Sequence, residues 1–124
     1  MPEQQRTVVV VEDDDGMRRA IERLLRGAGL RPMLFDSAEA LLETGLPPGT
    51  GCVVLDIRLP GLSGLELIRK LAESGAKLPC IFVTAYDDPR DRAESERLGA
   101  IAYLPKPFHG RVLLKAITTA LGAG

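Results

Sequence analysis

Val8-Val9-Val10-Val11-Glu12-Asp13-Asp14-Asp15-Gly16, followed from Met17 by apolar residues at helical spacing, is the stretch that decides the fold. Four β-branched residues in a row predict a strand buried on both faces, because successive side chains point to opposite sides of a sheet. From there the period changes. Met17, Ile21, Leu24, Leu25 and Ala28 share one helical stripe, Asp14 or Asp15 can cap its start, and Gly27 and Gly29 punctuate its end. A doubly buried strand feeding an amphipathic helix is the opening of an α/β domain.

The same unit recurs down the chain. Pro32–Phe35 reads as a second strand, and Asp36-Ser37-Ala38-Glu39 has capping-box spacing before a helix carrying Ala40, Leu41 and Leu42. After the loop 46–51, Cys52–Leu55 reads as a third strand ending at Asp56. Ser63-Gly64-Leu65-Glu66 is another capping box, with Leu65, Ile68, Leu71 and Ala72 expected inward. Cys80–Val83 forms a fourth strand ending at Thr84, and Asp88-Pro89 suits a helix start. In the charged segment 90–98 only Ala93 and Leu98 are expected to face inward, which makes this the least firmly packed helix. Ile101–Leu104 is a fifth strand ending near Lys106-Pro107, and a last helix carries Leu113, Ile117, Ala120 and Leu121. Five strands alternating with five helices predict a parallel sheet.

Composition sets the outer bounds. At 124 residues the chain has the size of one domain, long enough to bury a core without disulfides or a structural metal. Sixteen basic against 17 acidic residues argue against a nucleic-acid binder, which usually carries a basic excess. No apolar run approaches a membrane span, and Met1-Pro2-Glu3-Gln4-Gln5 lacks the features of a signal peptide, so a cytoplasmic protein is expected. Cys52 and Cys80 are too few for a disulfide framework and read as buried strand thiols. No linker or repeat divides the chain.

The unusual residues fall at the strand ends: Glu12 and Asp13, then Asp56, then Thr84, then Lys106. In an open parallel sheet, ligands bind outside the carboxyl ends of the strands, where the strand order reverses. Three carboxylates gathered there repel one another unless a cation joins them, and an all-oxygen site with few protein ligands suits Mg²⁺. A lysine adds a point charge for phosphate and a threonine a hydroxyl donor. Together they predict metal-assisted phosphoryl transfer. Each residue alone also has a plain structural reading, as a helix cap, a loop residue or a solvated lysine; their fall at the same end of successive strands is what those readings leave unexplained.

The blocks Val9-Val10-Val11-Glu12-Asp13-Asp14, Leu55 to Gly64, Val83-Thr84-Ala85 and Gly99-Ala100, with Tyr103-Leu104-Pro105-Lys106-Pro107-Phe108 after them, resemble the receiver domains of two-component response regulators, those of FixJ-type transcription factors in particular. The resemblance runs from about Thr7 to Leu121, within one domain spanning 1–124. It implies a flavodoxin-like, doubly wound (βα)5 fold with strand order 2-1-3-4-5. It implies that Asp56 accepts a phosphoryl group from a phospho-His of a sensor histidine kinase or a histidine phosphotransfer protein. Glu12, Asp13, Asp56 and the backbone carbonyl of Arg58 would then hold Mg²⁺, and Thr84 and Lys106 would contact the phosphoryl oxygens. Tyr103 matches an aromatic switch that turns inward on activation, and the surface formed by the fourth helix, fifth strand and fifth helix would change. The Lys106–Pro107 bond is cis in many relatives. Arg58 and Tyr86, two residues after Asp56 and Thr84, would flank the phosphoryl group and restrict attacking water. Such a domain is a switch that catalyses its own phosphoryl transfer and dephosphorylation. A homodimer on phosphorylation and a downstream DNA-binding output domain are further implications. The family more often has Asp where this chain has Glu12.

Two other readings stand beside this one. Asp13-Asp14-Asp15-Gly16 resembles the Asp-x-Asp-Gly nucleophile loop of haloacid-dehalogenase-type phosphatases, with Asp87-Asp88 as the late acidic pair. Glu12 displaces that motif from the strand, and the chain is short for that family. A pseudo-receiver, a binding module using no phosphate, is opposed by the complete set of five site residues. Gly61-Leu62-Ser63-Gly64 only faintly resembles a nucleophile elbow, and Ser63 reads better as a helix cap. His109 reads as a solvated loop residue, and Arg18, Arg19, Arg23 and Arg26 as a solvated face of the first helix.

Overall fold

Strands and helices alternate strictly: β1 (Thr7–Val11), α1 (Asp15–Gly27), β2 (Arg31–Phe35), α2 (Ala38–Thr44), β3 (Thr50–Asp56), α3 (Gly64–Glu73), β4 (Cys80–Thr84), α4 (Pro89–Arg97), β5 (Ala102–Pro105) and α5 (Gly110–Ala123). The structure is a computed structural model that describes residues 6–123; Met1–Gln5, in which no leader is expected, and Gly124 lie outside the described residues. All strand pairs are parallel and the order is β2-β1-β3-β4-β5, so the order reverses between β1 and β3. This is the flavodoxin-like doubly wound arrangement. Among the described residues no helix is long and apolar enough to cross a membrane.

The β-branched runs behave as their pattern predicts. Val8 and Val10 pack with Cys52, Val54, Ile81 and Val83 against Ile21 and Leu25 of α1 and Leu113, Ile117 and Ala120 of α5. Val9 and Val11 pack with Val53, Leu55, Cys80 and Phe82 against Leu41 of α2 and Leu65, Leu67 and Ile68 of α3. Cys52 and Cys80 are therefore both buried but belong to opposite faces of the sheet, on neighbouring strands whose register pairs Val53 with Cys80.

Four details differ from expectation. Ala72 is exposed and Leu67 is fully buried, because the α3 stripe runs through 64, 65, 67 and 68. In α4, Ala93 is exposed and the single buried residue is Ser95. Ala93 and Leu98 lie five residues apart, about 140° around a helix at ~3.6 residues per turn, so they cannot share a face. Leu42 of α2 is also among the exposed large apolar side chains. The capping box at Asp36 does not form either: Ser37 is the cap, accepting from Ala40 N, and Glu39 reaches 23 residues along the chain to accept from Leu62 N at 2.7 Å. The boxes at Ser63–Glu66 and the caps at Asp14 and Asp88 form as the spacing predicts.

These differences make α4 unlike the other helices. A fully buried Leu or Ile stabilises by about 1.5–3 kcal/mol, whereas an exposed ion pair contributes at most about 1 kcal/mol. α1, α3 and α5 bury such side chains and α4 buries none. Beyond the half-buried Leu98 that follows its last residue, α4 is attached by polar contacts.

Candidate functional site

Strand register brings the strand-end residues together. Val11 pairs with Leu55, so Glu12 and Asp56 each begin one residue past a matched pair. Asp56 pairs with Val83, which puts Thr84 one step further, and Thr84 pairs with Pro105, which does the same for Lys106. The four residues therefore line one edge of the sheet across β1, β3, β4 and β5. The reversal of strand order at β1/β3 sends the flanking helices to opposite faces and leaves this edge open.

Glu12 is 1% exposed and Asp56 4% exposed. Lys106 Nζ donates to Asp56 Oδ2 at 2.7 Å and to Glu12 Oε1 at 3.0 Å, so one ammonium bridges two buried carboxylates. Asp14 N donates to the second Glu12 oxygen at 3.1 Å, and Arg58 N donates to Asp56 Oδ1 at 2.8 Å. Burial pushes the Glu12 carboxyl above its ordinary range; hydrogen bonds from Asp14 N and Lys106 oppose the rise, and the neighbouring Asp56 adds to it. Burial alone lowers the Lys106 ammonium, but its hydrogen bonds to Asp56 and Glu12 outweigh that and leave it above its ordinary value.

Glu12, Asp13 and Asp56 each offer a carboxylate oxygen, and those oxygens lie within 4.8 Å of one another. Asp13 is exposed, so the cluster opens to solvent on one side. The donor set is wholly oxygen, and the buried Glu12 charge is only partly compensated. Both features fit a hard divalent cation such as Mg²⁺.

Packing around Asp56 is tight. A Cβ on Gly64 would lie 2.3 Å from the Asp56 carbonyl oxygen, so the first residue of α3 can rest on this backbone only as glycine. Gly61 has φ 77°, and a Cβ there would meet the Glu39 carboxylate at 2.5 Å. Glu39 thus pins the loop between β3 and α3. The Lys106–Pro107 bond is cis.

The structure places the other expected residues nearby, with different partners. Thr84 is fully buried; its hydroxyl donates to Tyr86 O at 3.0 Å and accepts from Tyr86 N at 3.1 Å, closing the start of the β4–α4 loop. Tyr103 is half-buried, and its hydroxyl accepts from Asp88 N at 3.1 Å. The Arg92 guanidinium lies 4.4 Å from the Tyr103 ring centroid. Tyr86 is 66% exposed, with the Arg58 guanidinium 5.4 Å from its ring centroid.

Several residues named from the sequence have partners that the sequence does not signal. Arg58 forms ion pairs with Asp91 at 2.9 Å and Asp88 at 3.5 Å, a contact spanning 33 positions with no local signature. Arg18 is not on a solvated face: it donates to Glu12 O at 2.9 Å and holds the end of β1. Its position one turn into the helix after an acidic loop was the available signal. Asp87 and Asp88 do not join the carboxylate cluster; Asp88 caps α4 and Asp87 pairs with Arg92 at 3.3 Å. His109 is exposed, and its carbonyl accepts from Val112 N at the start of α5.

Comparison with known proteins agrees with the geometry. Residues 8–118 match the family described as response regulator receiver domain. The chain is 42% identical over 113 residues to Nodulation protein W of Bradyrhizobium diazoefficiens, covering 91% of this chain and 50% of that protein. It is 39% identical over 115 residues to Transcriptional regulatory protein FixJ of Azorhizobium caulinodans, covering 93% of this chain and 54% of that one. The chain thus spans about half the length of the curated relatives it matches. Among solved structures, the response regulator StyR superposes with a TM-score of 0.89 at 41% identity, covering 97% of this chain and 61% of that one. FixJ-N superposes at 0.85 with 32% identity, covering 97% and 96%. A match over nearly the whole chain, the doubly wound order and the strand-edge cluster lead to one conclusion: the chain belongs to the response regulator receiver domain family.

Proposed function

We propose that this chain is a phosphorylation-activated switch of a two-component system, working in the cytoplasm, and that Asp56 takes a phosphoryl group from a phospho-His on a sensor histidine kinase or histidine phosphotransfer protein. The observation that carries the proposal is the Asp56 carboxylate at the end of β3, 2.7 Å from Lys106 Nζ and clustered with the carboxylates of Glu12 and Asp13. In the transfer the N–P bond breaks as an Asp56 oxygen bonds to phosphorus. A carboxylate is a weak nucleophile, so rate comes from placement and charge neutralisation. Glu12, Asp13, Asp56 and the Arg58 carbonyl would hold Mg²⁺, which supplies positive charge to the transferring phosphoryl oxygens. Lys106 would balance the same charge with its ammonium, which already contacts Asp56, while Arg58 N orients the Asp56 carboxylate.

The added charge biases a two-state element. The Thr84 hydroxyl leaves Tyr86 for a phosphoryl oxygen, which opens the turn it closes, and Tyr103 moves into the space. The surface of α4, β5 and α5 changes with it. Arg58 and Tyr86 flank the new group and limit access of water. Histidine-kinase contact is common to receiver domains; a homodimer and a downstream output domain belong to this proposal, the latter supported by relatives about twice as long.

Mixing the protein with acetyl phosphate and Mg²⁺ tests the reading, with intact mass and peptide mapping as the readout. One phosphoryl group on Asp56, lost in Asp56→Asn, is expected. A label on Asp13 would instead favour the phosphatase reading, and no label at all would revive the pseudo-receiver.

A further inference from the structure

We propose that the Arg58 guanidinium is a latch on α4, tying the start of that helix to the Asp56 loop until a phosphoryl group on Asp56 draws it away. This rests on the reading of Asp56 as the phosphoacceptor. The first half of α4 has no apolar anchor, since the single buried residue of the helix is Ser95. What holds the helix is Arg58 to Asp91 at 2.9 Å and Asp88 at 3.5 Å, the Tyr103 hydroxyl to Asp88 N at 3.1 Å and Arg92 on the Tyr103 ring at 4.4 Å near its start, and Arg69 of α3 to Glu94 at 2.9 Å further along. Arg58 is the member of this set that also belongs to the phosphoacceptor loop.

Its geometry suits two alternative partners. The Arg58 amide is 2.8 Å from Asp56 Oδ1, so its long side chain starts beside that carboxylate and can reach a group built on it. The side chain is 48% exposed and rests on the Tyr86 ring, so turning it disturbs no packed core. Asp88 and Asp91 present two separate carboxylates to it. A phosphoryl group presents three oxygens with close to two charges, which a planar guanidinium binds in bidentate fashion. Arrival of the phosphoryl group therefore takes from Asp91 its ion-pair partner, leaves Asp88 with Arg90 at 3.6 Å, and sets the two carboxylates one turn apart with no cation between them. The start of α4 loosens as a result, independently of the movement of Thr84 and Tyr103.

Hydrogen exchange of α4 peptides, read by mass spectrometry on the whole chain with and without acetyl phosphate and Mg²⁺, tests the latch. In the unlabelled state, Arg58→Ala and Asp91→Asn should each speed exchange at the start of α4 by about fivefold, the scale of losing partly exposed ion pairs. Salt at about 0.5 M should loosen wild-type α4 and add little to Arg58→Ala, because it screens the same contact. Phosphorylation should loosen wild-type α4 by a larger factor than it loosens Arg58→Ala, in which only the movement of Thr84 and Tyr103 is left to act on the helix. Wild-type exchange rates in both unlabelled variants would overturn the latch, as would a full phosphorylation response in Arg58→Ala. Failure of the wild type to gain mass would instead overturn the phosphoacceptor reading and with it the withdrawal step; the unlabelled comparison would still decide whether Arg58 holds α4.

Discussion

Replacing Lys106 by Met isolates the electrostatics of the strand edge. Methionine keeps an unbranched stem to fill the same space, so the change is chiefly the loss of one ammonium. That ammonium makes two charge-assisted hydrogen bonds, at 2.7 Å to Asp56 and 3.0 Å to Glu12. Each such bond contributes about 1.5–3 kcal/mol, and removing one partner of a buried ion pair costs about 3–5 kcal/mol. Here Lys106 is 16% exposed and the cluster opens to water at Asp13, so a loss of about 2–4 kcal/mol at pH 7.5 is expected. The loss depends on pH in a definite direction. Glu12, already held above its ordinary range by burial, rises further when its cation is gone. A carboxyl whose folded pKa exceeds its unfolded value loses stability as pH rises from the unfolded pKa through the folded one. The deficit of Lys106→Met should therefore shrink as the protein is acidified towards the ordinary carboxyl value of 4.5. The wild-type contribution of Lys106, whose pKa is raised, should persist up to the ordinary lysine value of 10.5 and fade as pH passes the folded pKa above that. Urea unfolding followed by far-UV circular dichroism measures this, since the chain has no Trp. Mg²⁺ should recover part of the loss at pH 7.5 by supplying a cation to the same oxygens. A loss below about 0.5 kcal/mol, the noise of a surface substitution, would refute the reasoning. So would a deficit unchanged between pH 4.5 and 7.5.

Two further predictions concern packing and the thiols. Gly64→Ala forces a Cβ into the Asp56 carbonyl 2.3 Å away and should lower the urea midpoint, by about 1–3 kcal/mol in stability, while slowing label uptake at Asp56; a variant with wild-type midpoint and rate would show that the α3 start can yield. Burial pushes the Cys52 thiol up to about 12 and the Cys80 thiol up to about 11, so a disulfide-exchange reagent at about pH 8 should titrate both thiols in urea and neither rapidly in the native protein.

Legibility in the sequence followed how local each signal was. The run Val8–Val11, the caps at Asp14 and Asp88 and the box at Ser63–Glu66 are readable because the groups that satisfy one another lie within four residues. Glu39 departs from its local pattern for the same reason: its spacing suits a capping box, yet its carboxylate accepts from Leu62 N on another loop. In α4 the apolar pattern is too sparse to orient a helix. Asp91, Glu94 and Ser95 face the protein there, held by Arg58 and Arg69, and Ala93 faces out.

By itself the sequence determined the alternation of strand and helix and the identity of the residues at the strand ends, because burial period and capping chemistry are properties of neighbouring residues. Only the tertiary structure decided that Lys106 reaches across from β5 to bridge Glu12 and Asp56, that Gly64 rests on the Asp56 backbone, and that Arg58 is shared between the site and α4. Those contacts join residues up to 94 positions apart, and parallel strand register brings them within hydrogen-bonding distance.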